Sequence, residues 1–245
     1  MRELVDHTHK VIMGWSPKAG CTIAKTMFND HMGRTKDLQS SGKTIHGYLA
    51  ELRKKEQLKP IDILKYDDYF KFKIVRNPYA RAVSSYFHLI KTMYRANFNF
   101  RQNILSALNQ TTEGISFRDF VYYLSWIDIT KIDSHFSSQV SNYEHRIKYD
   151  LICELESLES GLTKINNMVG TNFCLNTTHS PHHLTKAREK QQGVEHVKFD
   201  RLPKRVPSYQ SFYSPKMISK VSQVFANDLN SYGYDFKSFL GYYGN

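Results

Sequence analysis

Near its start the chain passes from a short apolar run, through a glycine turn, into a helical pattern, and this succession constrains it more than any other feature. Val11-Ile12-Met13, within Lys10–Trp15, reads as a buried strand that stops at Ser16-Pro17. Ile23 to His31 reads as a helix ended by Gly33. Between them lies Pro17-Lys18-Ala19-Gly20-Cys21-Thr22. A strand that runs through a tight loop into a helix presents unbonded N–H groups at the helix N-terminus. With the helix dipole, these donors form a site for phosphate or sulfate. Gly20 lets the backbone approach an anion, Lys18 adds a point charge and Thr22 a hydroxyl, while Ala19, Cys21 and Ile23 offer amides. The order differs from the Walker loop GxxxxGK[ST]. Here lysine precedes glycine, and no Lys-Ser/Thr pair follows to hold magnesium. A surface βα turn with a solvated lysine fits the same string, so the loop alone leaves both readings open.

A second strand–turn–helix supplies a further anion candidate. Phe72 to Arg76 reads as a strand, Asn77-Pro78 as an N-cap with a first-turn proline, and Tyr79 to Met93 as a long helix. In a parallel sheet Arg76 then sits at the carboxyl edge, where ligands of open α/β sheets bind. A guanidinium there can grip a phosphate bidentately, and Ser84 can complete the site. Pairing of Arg76 with a carboxylate is the competing reading. Tyr149–Cys153 reads as a third strand, followed by a helix over Ser157–Met168. Further helices are expected over Tyr48–Gln57, from Ser116 (capped with Asp119) to Leu124, and over Pro215–Leu229, with loops around a short helix between 176 and 213. Strands separated by helices predict a three-layer, P-loop-like α/β fold whose central, mostly parallel sheet is flanked by helices, in one domain spanning 1–245.

Composition narrows the partners. A formal net charge of +11 over 245 residues favours acidic ligands, from nucleotides to sulfated glycans, although a basic surface also serves solubility. The aromatic residues fall at helix and strand spacings, as in Phe117/Phe120/Tyr123, which reads as core and not as a nucleic-acid stacking surface. Cys21, Cys153 and Cys174 have no CxxC spacing, which argues against zinc and against a disulfide scaffold. The N-terminus has no signal-peptide stretch, and no run approaches a membrane span. A cytoplasmic protein is the expectation, with a Golgi lumen placement reserved for a truncated chain. Oligomeric state is not written in the sequence.

The two motifs together resemble the sulfotransferase superfamily, which uses 3′-phosphoadenosine 5′-phosphosulfate, and more closely its carbohydrate branch. That family carries a P-K-x-G-x-T-like loop for the 5′-phosphosulfate, here Pro17 to Thr22. It also carries R-[DN]-P and V-S-x-Y segments for the 3′-phosphate, here Val75-Arg76-Asn77-Pro78 and Val83-Ser84-Ser85-Tyr86. Asp133-Ser134-His135-Phe136-Ser137-Ser138-Gln139 is similar to the D-x-H-W-x-P-Q segment of Golgi-type and uronyl relatives, without its tryptophan and proline. Tyr149-Asp150-Leu151 with Glu156 and Leu158, and Tyr234-Asp235-Phe236 with Phe239, match further family patterns.

The resemblance implies an enzyme that moves a sulfuryl group to a hydroxyl of a glycan, acidic glycans included, or of another hydroxyl-bearing acceptor. The product is adenosine 3′,5′-bisphosphate, and no metal takes part. Lys18 and the loop amides would stabilise the departing phosphate, and Arg76 and Ser84 would hold the other end of the nucleotide. Thr185 and Lys186, in a loop that resembles the segment folding over the nucleotide, join the cofactor candidates. His46 is the first expectation for the general base and His135 the second, with Glu51 and Asp133 behind them. Lys91, Arg95 and Arg101 are candidates to line an acceptor groove. His179, His182 and His183 lack the context of a zinc site. The alternatives are a P-loop nucleotide kinase or hydrolase, which would need magnesium ligands, and a non-catalytic relative that binds nucleotide and glycan.

Overall fold

The computed structural model describes residues 2–55, 62–93, 98–109, 114–175, 192–201 and 203–235. Among these residues the elements run β1 (Arg2–Asp6), β2 (Val11–Trp15), α1 (Cys21–His31), α2 (Thr35–Ser40), α3 (Ile45–Lys55), β3 (Phe70–Val75), α4 (Pro78–Met93), α5 (Phe98–Ala107), α6 (Phe117–Trp126), β4 (Leu151–Glu154), α7 (Leu158–Val169), α8 (Pro215–Val224) and α9 (Ala226–Tyr232). The strands form one sheet in the order β1-β2-β3-β4. β2, β3 and β4 are mutually parallel, and β1 runs antiparallel against β2 with Glu3 opposite Gly14 and Val5 opposite Ile12. The expected α/β class, a mostly parallel sheet flanked by helices, is the one observed.

The chain divides into two compact units, Met1–Arg76 with Asn142–Leu184, and Asn77–Ser141 with Thr185–Asn245. The first unit holds the sheet. Its strands alternate by the period of two that a pleat imposes. Val11, Met13, Trp15, Phe72, Ile74 and Cys153 face one core with Phe28, Leu162 and Phe173, while Ile12 joins Ile63 and Ile147 on the other face. Lys73 shares that alternation yet is fully buried, because its ammonium meets Glu144 at 2.6 Å. A buried cation is tolerated only when paired in this way. Since β2, β3 and β4 are parallel, their carboxyl ends share one edge, and the segments after them begin at Ser16, Arg76 and Leu155. The site is built on that edge.

The opposite edge is tied by Asp6. Its Oδ1 accepts from the amides of Thr8 at 2.8 Å and His9 at 3.3 Å, closing the turn between β1 and β2. Its Oδ2 lies 2.5 Å from His9 Nδ1 and 2.8 Å from His31 Nε2. His31 also bonds Asn172 beyond α7 and packs its ring 4.3 Å from Phe173. One carboxylate thus joins β1, the end of α1 and the chain after α7.

The second unit has an aromatic core around Tyr86, whose hydroxyl donates to Ile115 O at 2.6 Å and whose ring meets Phe87, Phe117, Phe120 and Phe212. Asp228 on α9 is fully buried and fixes the segment after α6: it accepts from Gln139 N at 2.8 Å, from Val140 N at 3.1 Å and from the Ser138 hydroxyl. Arg81 completes this hub, with Nη1 3.9 Å from Asp228 and 2.7 Å from Ser137 O.

Several elements depart from the sequence reading. β1 and α2 were not expected, since Arg2–Asp6 carries only two apolar residues and Thr35–Ser40 has no buried residue to give it a pattern. α5 was not expected either. The helix read over Pro215–Leu229 is two helices, broken where Phe225 turns into the core at 1% exposure.

Candidate functional site

The loop between β2 and α1 is shaped by two left-handed residues. Ala19 N donates to Ser16 O at 3.1 Å, Lys18 has φ 68°, and Gly20 has φ 74° as the N-cap of α1. A side chain at Gly20 would also meet Leu155, whose Cδ1 lies 2.5 Å from an ideal Cβ. Glycine is favoured there by its dihedral, and any side chain would also have to displace the end of Leu155. Because the cap is glycine, no side-chain oxygen covers the helix N-terminus. The first amides of α1, from Cys21, Thr22 and Ile23, have no intrahelical acceptor by the geometry of a helix. That is the donor set an outside anion needs.

One cationic side chain braces the loop, and a second stands on the helix that follows it. Arg76, at the carboxyl end of β3, donates from Nη1 to Lys18 O at 3.1 Å. Arg76 thereby holds the loop backbone in its left-handed turn. Lys25, one turn along α1, lies 2.8 Å from His46 Nδ1 and 5.8 Å from the Trp15 ring centroid. His46, at the start of α3, meets Thr22 Oγ1 with Nε2 at 3.1 Å. The structure thus brings Lys18, Ala19, Gly20, Cys21, Thr22, Ile23, Arg76 and His46 to one edge of the first unit. Glu51, on the exposed face of α3, is paired with Lys43, whose hydrogen bond holds its carboxyl below the usual range.

The other histidine lies in the second unit. His135 Nδ1 is 2.7 Å from Asp133 Oδ1, which also accepts from the His135 amide at 2.8 Å. The Ser85 hydroxyl donates to His135 O at 2.7 Å, and the His88 ring stacks on His135 at 4.1 Å and 23°. Burial raises the Asp133 carboxyl, but the two hydrogen bonds from His135 outweigh it and leave the group below its ordinary value. Asp133 is therefore a carboxylate that orients His135. Ser84 is half-buried on α4. Lys91 is exposed at the end of α4, and Arg101 lies on α5. Arg95, Thr185, Lys186, His179, His182 and His183 lie outside the described residues.

Sequence reasoning missed Lys25. Its position three residues after Thr22 on a helix was the available signal, since residues at that spacing share a face. It also missed that Arg76 bonds the loop itself. Among the described residues one group has metal-ligand donors close together, Asp6, His9 and His31, with ligand atoms within 4.8 Å of one another. It stands at the far edge of the sheet from the loop, and its donors are at hydrogen-bond distance from each other.

A profile of the sulfotransferase family matches residues 2–235. The chain belongs to the sulfotransferase family. It is 26% identical to carbohydrate sulfotransferase 11 of Rattus norvegicus and of Mus musculus over 192 residues, which cover 68% of this chain and 52% of each relative. It is 23% identical to carbohydrate sulfotransferase 10 of Xenopus laevis over 261 aligned positions, covering 98% of this chain and 69% of the relative. The chain thus spans about half the length of the first two relatives. No solved structure gives a significant match.

The relatives correct one expectation. A cytoplasmic location does not stand, because the relatives are carbohydrate sulfotransferases of the branch that acts in the Golgi and not in the cytoplasm. Among the described residues no helix is long and apolar enough to cross a membrane.

Proposed function

We propose that this chain transfers a sulfuryl group from 3′-phosphoadenosine 5′-phosphosulfate to a hydroxyl of a carbohydrate acceptor. The observation that carries this reading is the glycine-capped start of α1, whose left-handed turn at Lys18 is tied to Arg76. Its amides suit a tetrahedral oxyanion, and Lys18 and Arg76 bring positive charge to the same edge. The residues present fit the nucleotide's 5′ end. Lys18, with the amides of Ala19 to Ile23 and the Thr22 hydroxyl, would stabilise the charge that grows on the leaving phosphate oxygen. Arg76, at the same edge, would meet the 3′-phosphate with its guanidinium charge. Ser84 is assigned to the same phosphate on its motif, and Thr185 and Lys186 to the nucleotide on theirs.

The base is assigned by hydrogen-bond chemistry. A Lys25 ammonium can only donate, so His46 Nδ1 accepts, and the imidazole proton sits on Nε2 and donates to Thr22. His46 is then a positioning residue that turns the Thr22 hydroxyl outward. His135 has the reverse arrangement: Nδ1–H donates to Asp133, which leaves Nε2 with its lone pair and lets the carboxylate stabilise the imidazolium formed when a proton arrives. We therefore assign His135 as the base that takes the acceptor's proton. A carbohydrate acceptor is supported by the relatives, whose printed names are carbohydrate sulfotransferases.

Thermal shift and calorimetry test the nucleotide. Adenosine 3′,5′-bisphosphate should stabilise the protein and ATP-magnesium should not, and Lys18→Ala and Arg76→Ala should abolish the stabilisation. Transfer of labelled sulfate to a glycan panel should fall about 10²–10³-fold in Lys18→Ala. Preferential binding of ATP-magnesium, or transfer unaffected by Lys18→Ala, would overturn the assignment.

A further inference from the structure

One face of the second unit gathers positive charge around a single aromatic ring. On α6, Arg118, Tyr122 and Trp126 recur every four residues and share one stripe. On α8, Lys216 and Lys220 are also four apart and reach the same ring. Arg118 Cζ lies 5.3 Å from the Tyr122 centroid, Lys220 Nζ 5.5 Å and Lys216 Nζ 6.0 Å. Among the described residues none of these three cations has a carboxylate at ion-pair distance. Lys216 and Arg118 also meet the Tyr122 phenol, which the Lys216 hydrogen bond, with help from Arg118, holds below the ordinary tyrosine value. Beside it Trp126 is 58% exposed, its ring 6.4 Å from that of Tyr122.

Three like charges around one ring repel one another, and an anion with several oxygens would relieve that repulsion. The stripe from Arg118 to Trp126 is about 12 Å long at the helical rise, room for more than one sugar unit. An indole face beside cations offers a platform for the C–H face of a sugar while sulfate or carboxylate oxygens meet the cations.

We propose that this face of α6 and α8 is a docking site for an acidic polysaccharide, with anionic groups on Arg118, Lys216 and Lys220 and a sugar ring on Trp126. The choice of polysaccharide rests on the carbohydrate-acceptor reading above. Charge supports it too, since each sulfuryl transfer leaves the acceptor chain one negative charge richer and so better matched to this face.

Binding of dextran sulfate, neutral dextran, a single-stranded oligodeoxynucleotide and phosphatidylserine vesicles, compared at one salt concentration, tests the site. Dextran sulfate should bind best and neutral dextran not at all. Lys216→Gln/Lys220→Gln should weaken dextran sulfate about tenfold, and Trp126→Ala should weaken it severalfold, with Arg118→Gln as an independent third variant. The melting temperature and adenosine 3′,5′-bisphosphate binding should stay at wild-type values. Unchanged dextran sulfate affinity in the lysine variant, or tighter binding of the oligonucleotide or vesicles, would sink the proposal. If sulfate transfer fails in the wild-type protein while the variants still lose dextran sulfate, the catalytic reading falls and the docking site stands.

Discussion

Lys18 occupies a left-handed backbone conformation that costs a non-glycine residue about 1–2 kcal/mol. The bond from Arg76 to its carbonyl offsets that cost and holds the turn in place. The residues of the loop were legible in the sequence because each acts through its own backbone or through a neighbour a few positions away. Lys25 and His46 were not read together, because the two are 21 positions apart and meet only once α3 is folded beside α1. Their pairing decides what His46 can do. His135→Ala should lower kcat by about 10²–10⁴ with little change in the KM for the donor. His46→Ala should instead raise that KM, and His46→Gln should recover part of the loss, because its amide N–H can still donate to Thr22. Initial rates across donor concentration and pH separate the two roles. A normal kcat in His135→Ala would end its assignment as base.

At the scale of elements, local chemistry and packing divide the work. Ser116 and Asp119 form the capping box their spacing announced, since each side chain bonds the other's amide at 3.1 Å. The close contact between α7 and β4 has no such local signature. An ideal Cβ on Gly161 would lie 2.9 Å from Cys153 Sγ and 3.3 Å from Cys153 Cβ. In an exposed helix, alanine for glycine stabilises by about 0.5–1 kcal/mol. Here overpacking, which costs about 1–3 kcal/mol, should win. Gly161→Ala should therefore lower the urea midpoint, and Cys153→Ala in the same chain should restore much of the loss, giving a coupling in a double-mutant cycle. A stabilised Gly161→Ala protein would show that α7 can move away from the strand at little cost.

At the scale of the whole molecule, Asp6 ties stability to acid pH. Burial raises its carboxyl, but the hydrogen bonds from His31 and His9 and from the amides of Thr8 and His9 prevail and bring it down to about 2 from an ordinary 3.8. A depressed value means stability that is fully present above pH about 4 and is lost as pH falls towards 2, amounting to about 2 kcal/mol. Chemical denaturation across that range should show the loss in the native protein and a flatter profile in Asp6→Asn. The sequence by itself determined the α/β class, the turns of the two motifs assigned above to anions and the capped helix, because each depends on residues within about ten positions of one another. Only the tertiary structure decided that Arg76 braces Lys18 across 58 positions, and that Asp228 anchors the His135 segment from 89 positions beyond Gln139. Such contacts depend on which elements pack together, and no local pattern of side chains records that. The loop at Gly20 shows both levels at once: its glycine announces a turn, and Leu155, delivered from the end of a distant strand, packs against it.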